Sequence, residues 1–153
     1  MSNIYLAARY SRYPEMQTSA IELMRAGHII TSRWIWGSHQ ISDEALEDQA
    51  HEAQRCQFAI EDLTDLECAN CLISFTEVPR ASTSRGGRHT EFGYALHSRR
   101  EHDRTKGSYM MRAGRYYRLI VIGHRENVFH CVPEVEFYSS WDAFKAVSPT
   151  LCQ

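Results

Sequence analysis

Short apolar runs alternate along this chain with segments in which apolar residues recur at helical spacing. Ile4-Tyr5-Leu6-Ala7-Ala8 reads as a buried first strand. Residues 9–13 read as a polar and aromatic loop. Pro14 suits a first helical position, Met16, Ala20, Leu23 and Met24 follow at helical spacing, and Gly27 closes that helix. His28-Ile29-Ile30-Thr31-Ser32 predicts a second strand, so the opening is strand–helix–strand with a right-handed crossover. Ser42-Asp43-Glu44 predicts a helix start, with the helix running from about 43 to 60 and a short turn at 62–66. Cys71-Leu72-Ile73-Ser74-Phe75 is apolar enough for a strand buried on both faces. A polar loop over 77–88 leads into a helix over 89–98, followed by a basic, irregular tract over 99–115. Leu119-Ile120-Val121-Ile122-Gly123 predicts a fourth strand, Val128 to Val132 a short fifth, and Ser139/Ser140 the cap of a last helix through Trp141, Phe144 and Val147.

This alternation predicts an α/β fold: one domain over 1–153, a doubly wound (Rossmann/flavodoxin-like), mostly parallel five-stranded sheet. In such folds ligands sit beyond the carboxyl ends of the strands, which directs attention to residues 9–13, 33–37, 76–91 and 123–130.

Composition narrows the function classes. At 43% hydrophobic and 24% charged residues, the 153-residue chain matches an ordinary globular domain and is neither disordered nor fibrous in character. No stretch approaches a membrane span, and Met1 to Leu6 lack the basic and apolar regions of a signal peptide, so neither membrane nor export is expected. The net charge of −2 gives no basic excess for a nucleic-acid polymer. Fifteen of the 17 cations are arginine, a hint of anion recognition through planar bidentate contacts. The cysteines Cys56, Cys68, Cys71, Cys131 and Cys152 are odd in number, which favours a reducing, cytoplasmic setting. Cys68-x-x-Cys71 lacks a second ligand pair and reads as two ordinary thiols.

Candidate chemistry gathers after the third strand. Arg85-Gly86-Gly87-Arg88-His89-Thr90-Glu91-Phe92-Gly93 puts glycines and a helix start at the ligand end of the sheet, a setting that favours an anion. It is neither GxGxxG nor a P-loop. Glu91 reads either as compensation for the helix dipole or as a carboxylate held at a cleft, able to attack a sugar anomeric carbon. Asp62 and Asp65 read as turn chemistry, or as a second carboxylate entering the same cleft. Trp34 and Trp36 leave the second strand at the ligand end, where an indole either packs or stacks on a base. His89 reads as a phosphate donor or a helix-start histidine; His124 and His130 have no partner visible in sequence.

The first-strand run, Glu61-Asp62-Leu63, the glycine-rich loop leading into Thr90-Glu91-Phe92-Gly93-Tyr94-Ala95-Leu96, and Asn127-Val128-Phe129 occur in an order that resembles nucleoside 2-deoxyribosyltransferases and the related nucleoside 5′-monophosphate N-glycosidases, over about residues 4–137. The resemblance implies that Glu91 is the nucleophile at C1′, that Asp62 handles the proton of the base, and that the Tyr5 hydroxyl positions the nucleophile. It implies that Asn127 binds the 5′ end of the sugar in a neighbouring subunit with Phe129 beside it, and hence a homodimer or larger homo-oligomer. It requires no cofactor and no metal. The family's aspartate for the 5′-hydroxyl lies six residues before the nucleophile, where this chain has Arg85, with Ser82 and Ser84 nearby. Arginine and serine suit a phosphate, so Ser84, Arg85, Gly87 and His89 are expected around a nucleoside or nucleotide substrate, with hydrolysis as the alternative to transfer and a non-catalytic nucleotide-binding module as the alternative of another class. The basic tract over 97–117 is longer than the family connection.

Overall fold

The structure, a computed structural model, describes residues 1–37, 39, 51–79, 86–105 and 118–148. Five strands form one sheet: β1 (Asn3–Ala7), β2 (Ile29–Ile30), β3 (Cys71–Phe75), β4 (Arg118–Ile122) and β5 (Val135–Tyr138). Their order is β2-β1-β3-β4-β5, and every pair is parallel. β3 is buried along its whole length, as its unbroken apolar sequence requires of a strand covered on both faces. Ile4, Leu6, Leu72, Ile73 and Ile120 are fully buried, each worth roughly 1.5–3 kcal/mol of transfer free energy.

Helices α1 (Tyr13–Arg25) and α4 (Trp141–Val147) share one face, joined by the Trp141 indole N–H donating to Glu22 at 2.7 Å. Helices α2 (Glu52–Cys68) and α3 (Gly87–Thr105) share the other, joined by the Tyr94 hydroxyl donating to Glu67 at 3.3 Å. The sheet is therefore doubly wound, with the flavodoxin-like strand order and its switch point between β1 and β3. α1 ends as its sequence predicts: Gly27 takes φ +87°, and the N–H groups of Gly27 and His28 reach the carbonyls of Met24 and Leu23.

Several boundaries differ from the sequence expectation. The expected turn over 62–66 is helical, because α2 continues to Cys68; Leu66 packs into the core and Asp65 is held by Arg33, so tertiary contacts override turn-prone residues. Of the helix expected over 43–60, residues 43–50 lie outside the described residues. β2 has only two residues, and residues 10–12 form a 3₁₀ turn. α3 begins at Gly87 and runs to Thr105, taking in the first part of the basic tract; residues 106–117 lie outside the described residues. Val128 to Val132 is not a strand. Asn127 caps a 3₁₀ turn over Val128–Cys131 by accepting from the Phe129 N–H, and the fifth strand lies further on, at Val135–Tyr138.

Several arginines answer acids within the fold. Arg33, Arg88, Arg100 and Arg118 pair with Asp65, Glu126, Glu134 and Glu136 of the same chain. Among the described residues no helix is long and apolar enough to cross a membrane.

Candidate functional site

Helix α3 follows the central strand and presents two flanks with different chemistry. The flank facing β1 and α2 carries Glu91, one turn into the helix. The Tyr5 side chain lies in the core, and its hydroxyl donates to Glu91 Oε1 at 2.8 Å. Asp62, on the neighbouring helix α2, acts electrostatically on both. One Asp62 oxygen, Oδ1, is buried without a hydrogen-bond partner among the described residues.

These groups raise one another's proton affinity. Burial pushes the Glu91 carboxyl up to about 8, and the Asp62 charge adds to it, while the Tyr5 hydrogen bond and Arg88 act in the opposite sense. Asp62 is pushed up to about 6, chiefly by burial, with His39 opposing and Asp65 and Glu61 reinforcing the shift. Tyr5 is raised well above the usual phenol range by burial and the adjacent carboxylates. Two carboxyls that ionise near neutrality, with a buried phenol between strand and helix, make a site suited to nucleophilic and proton-transfer chemistry.

Around it stand groups that the sequence reading did not single out. Arg33 donates through its backbone N–H and its Nε to the two oxygens of Asp65, at 2.9 and 2.8 Å. That fixes Asp65 as a structural acid and leaves Asp62 as the available one. His39 Nε2 lies 2.8 Å from Glu61 Oε2, and its ring packs on Phe58 at 4.6 Å. No sequence spacing announces either pair, since each joins separate elements.

The other flank of α3 borders a groove of about 630 Å³ lined by Val78, Phe92, Leu96, His89, Asn127 and Phe129. Glu91, Tyr5 and Asp62 do not line it. At its floor Arg88, 3% exposed, makes a two-nitrogen contact with Glu126 at 2.8–2.9 Å. The Glu77 N–H donates to the same carboxylate at 3.1 Å. The loop holding Glu126 is anchored at the sheet: Thr76 Oγ1 donates to a carbonyl of the β4 end and accepts from the His124 N–H. Gly123 is needed there, because φ is +112° and a Cβ would lie 2.9 Å from the Thr76 carbonyl oxygen.

The structure thus brings Tyr5, Glu91 and Asp62 together, and brings His89, Asn127 and Phe129 together on the opposite flank of α3. Asn127 touches His89 and His130 of its own chain. Phe129 is 59% exposed. Trp34 is 5% exposed and donates its indole N–H to the Leu6 carbonyl at 2.8 Å, so it serves the core and presents no face for a base; Trp36 is half-exposed. Gly87 is the first residue of α3. Ser82, Ser84 and Arg85 lie outside the described residues. Cys68 is exposed at the end of α2, while Cys71 is buried in β3, its thiol pushed up to about 12 by burial.

No family model matches this chain, and neither a curated protein nor a solved structure matches it.

Proposed function

We propose that the protein cleaves the N-glycosidic bond of a (deoxy)nucleoside or its 5′-monophosphate and transfers the sugar to another base. The observation that carries this reading is the Tyr5 hydroxyl on Glu91 Oε1 at 2.8 Å, beside the partly unsatisfied Asp62. A carboxylate held by one donor attacks an anomeric carbon from a fixed direction, and a second, protonated carboxyl assists the leaving group.

In the first step Glu91 attacks C1′, the C1′–N bond breaks, and Asp62 gives its proton to the departing base. In the second, an incoming base attacks C1′, Glu91 leaves as a carboxylate, and the incoming base's proton returns to Asp62. Water in place of the second base makes the enzyme a hydrolase. The Tyr5 hydroxyl holds Glu91 in line and stabilises its negative charge when the ester breaks. The productive form has Asp62 protonated and Glu91 ionised. Because the two groups interact, they titrate as a pair; burial of Glu91 makes this arrangement the minor tautomer of the singly protonated pair, whose total population is greatest between the two proton losses near 6 and 8. A second subunit contributing Asn127 and Phe129, and a cytoplasmic setting, belong to the same reading; the exposure of Val128 and Phe129 supports the former.

The test is chromatography of the purified protein incubated with nucleosides and 5′-monophosphates, with and without a second free base. New nucleosides establish transfer, free base alone establishes hydrolysis, and an unchanged panel overturns the proposal.

A further inference from the structure

The groove flank of α3 gathers three side chains that the glycosidic reading does not need as a set. His89 on α3, Glu126 in the β4–β5 connection and His130 in the 3₁₀ turn each place a ligating atom within 4.8 Å of the others. Two imidazoles and a carboxylate are the donors that zinc-class ions take in proteins.

Asn127 shows how the imidazoles are poised. Its Oδ1 accepts from the Phe129 N–H at 2.9 Å, which turns its amide nitrogen toward the histidines. That nitrogen lies 3.1 Å from His130 Nε2 and 3.3 Å from His89 Nδ1. An amide NH₂ only donates, so the ring nitrogens it faces are the acceptors of these two contacts. His130 is 1% exposed, and its Nδ1 is buried, which leaves Nε2 as the nitrogen that faces the cluster. His89 is exposed enough to give an ion an entry path, and its Nε2 lies 3.5 Å from Glu126 Oε1.

The local charge permits a cation despite Arg88. Glu126 and Glu77 both lie within ion-pair distance of Arg88, so the buried group carries a net charge of −1 before an ion arrives. Glu126 receives two nitrogens of Arg88 and one backbone N–H, and a carboxylate has about four acceptor positions.

We propose that His89, Glu126 and His130 form a binding site for a divalent d-block cation of the zinc class, which clips the start of α3 to the β4–β5 connection. The Asn127 amide faces the His130 Nε2 that such an ion takes, so it competes with the ion there.

The experiment is titration of the whole chain with Co²⁺ and Zn²⁺, followed by calorimetry, cobalt absorption and thermal melts with and without chelator. One equivalent of Co²⁺ should bind with d–d bands and no thiolate charge-transfer band. Zn²⁺ should raise Tm, and chelator should reverse the rise. His89→Ala, at an exposed position whose metal-free Tm reports folding, should weaken binding at least about tenfold, the lower end of what even outer-shell changes cost. Asn127→Asp keeps the cap, replaces the donor with an acceptor and should tighten binding. The site is overturned by absent stoichiometric binding, by wild-type affinity in His89→Ala, by a charge-transfer band assigning the ion to Cys131 or another thiol, or by unchanged or weaker binding in Asn127→Asp.

Discussion

Glu91 and Glu126 face opposite flanks of the surroundings of one helix, and their treatment differs. Glu126 receives two nitrogens of a buried arginine and a backbone N–H, so most of its acceptor positions are filled within the fold. Glu91 receives one phenol, lies near a second acid, and its carboxyl is pushed up to about 8 by burial. A fold that satisfies one buried acid to that degree, and among the described residues gives another a single donor, separates an acid that builds from one that the proposed function makes the reacting group.

The sharpest way to break this contrast is to exchange the chemistry of each acid. Glu91→Gln keeps an acceptor for Tyr5 but removes the nucleophile. Glycosidic turnover should fall by about 10⁴-fold, roughly 5.5 kcal/mol of barrier, with the cooperative melt retained. Near wild-type turnover would falsify the assignment. On the other flank, Arg88→Ala strands Glu126 and Glu77 without their cation. Denaturant unfolding should show a loss of about 3–5 kcal/mol, the usual consequence of breaking a buried pair from one side. A loss below about 1 kcal/mol would mean that water reaches Glu126 and that the two flanks are alike.

Tyr5→Phe tests the single donor. It should lower kcat about ten- to a hundredfold, matching a hydrogen bond to a charged group of about 1.5–3 kcal/mol, and leave the fold intact. An unchanged kcat would reduce the phenol to packing. In the same series, kcat/KM of the wild type should follow a bell, with limbs near 6 and 8 that belong to the Asp62–Glu91 pair. A flat profile between pH 5 and 9 contradicts the pair.

On folding stability, Asp62→Asn gives the smallest effect and the clearest sign. The folded state raises this carboxyl from 3.8 to about 6, so it holds its proton more tightly folded than unfolded. Its charge therefore costs nothing below the unfolded value, costs increasingly as pH rises toward 6, and costs fully above it. The asparagine variant should be more stable than wild type by about 1 kcal/mol at pH 7.5, a figure kept below the full shift because water screens part of the side chain, and equal to it at pH 3.5. Equal stability at both pH values contradicts the burial of Asp62.

Much of the fold was legible because its signals are local. β1, β3 and β4 are apolar runs of a kind that only a strand covered on both faces produces, and Pro14 with Gly27 brackets α1. The misreadings fall where a distant partner decides. Val128 to Val132 has strand-like composition, but the Asn127 cap turns it into a 3₁₀ turn, while β5 places Glu136 against Arg118 of β4. The end of α2 looked like a turn until Arg33 met Asp65 across 32 positions. In the candidate site, Glu91 was legible as an acid in the first turns of a helix beyond a central strand. Its bond to Tyr5 spans 86 positions and follows only from β1 lying beside β3. Arg88 on Glu126 has no counterpart in local sequence, because the two residues are 38 positions apart.

The strand order also bears on how quickly this chain can find its shape. Ile4 pairs with Cys71, 67 positions away, and Cys71 with Arg118, 47 positions away; β4 with β5 and β1 with β2 pair at shorter range, as Leu119 does with Val135 and Asn3 with Ile29. Closing the long loops costs chain entropy before any central strand is rewarded. The β4–β5 and β1–β2 units are therefore the natural early events, and docking of β1 onto β3 sets the pace. Because that entropy grows only by about 0.6 kcal/mol for each doubling of a loop, the connections between the strands can lengthen at little kinetic penalty, whereas weakening the pairing of β1 with β3 slows folding directly.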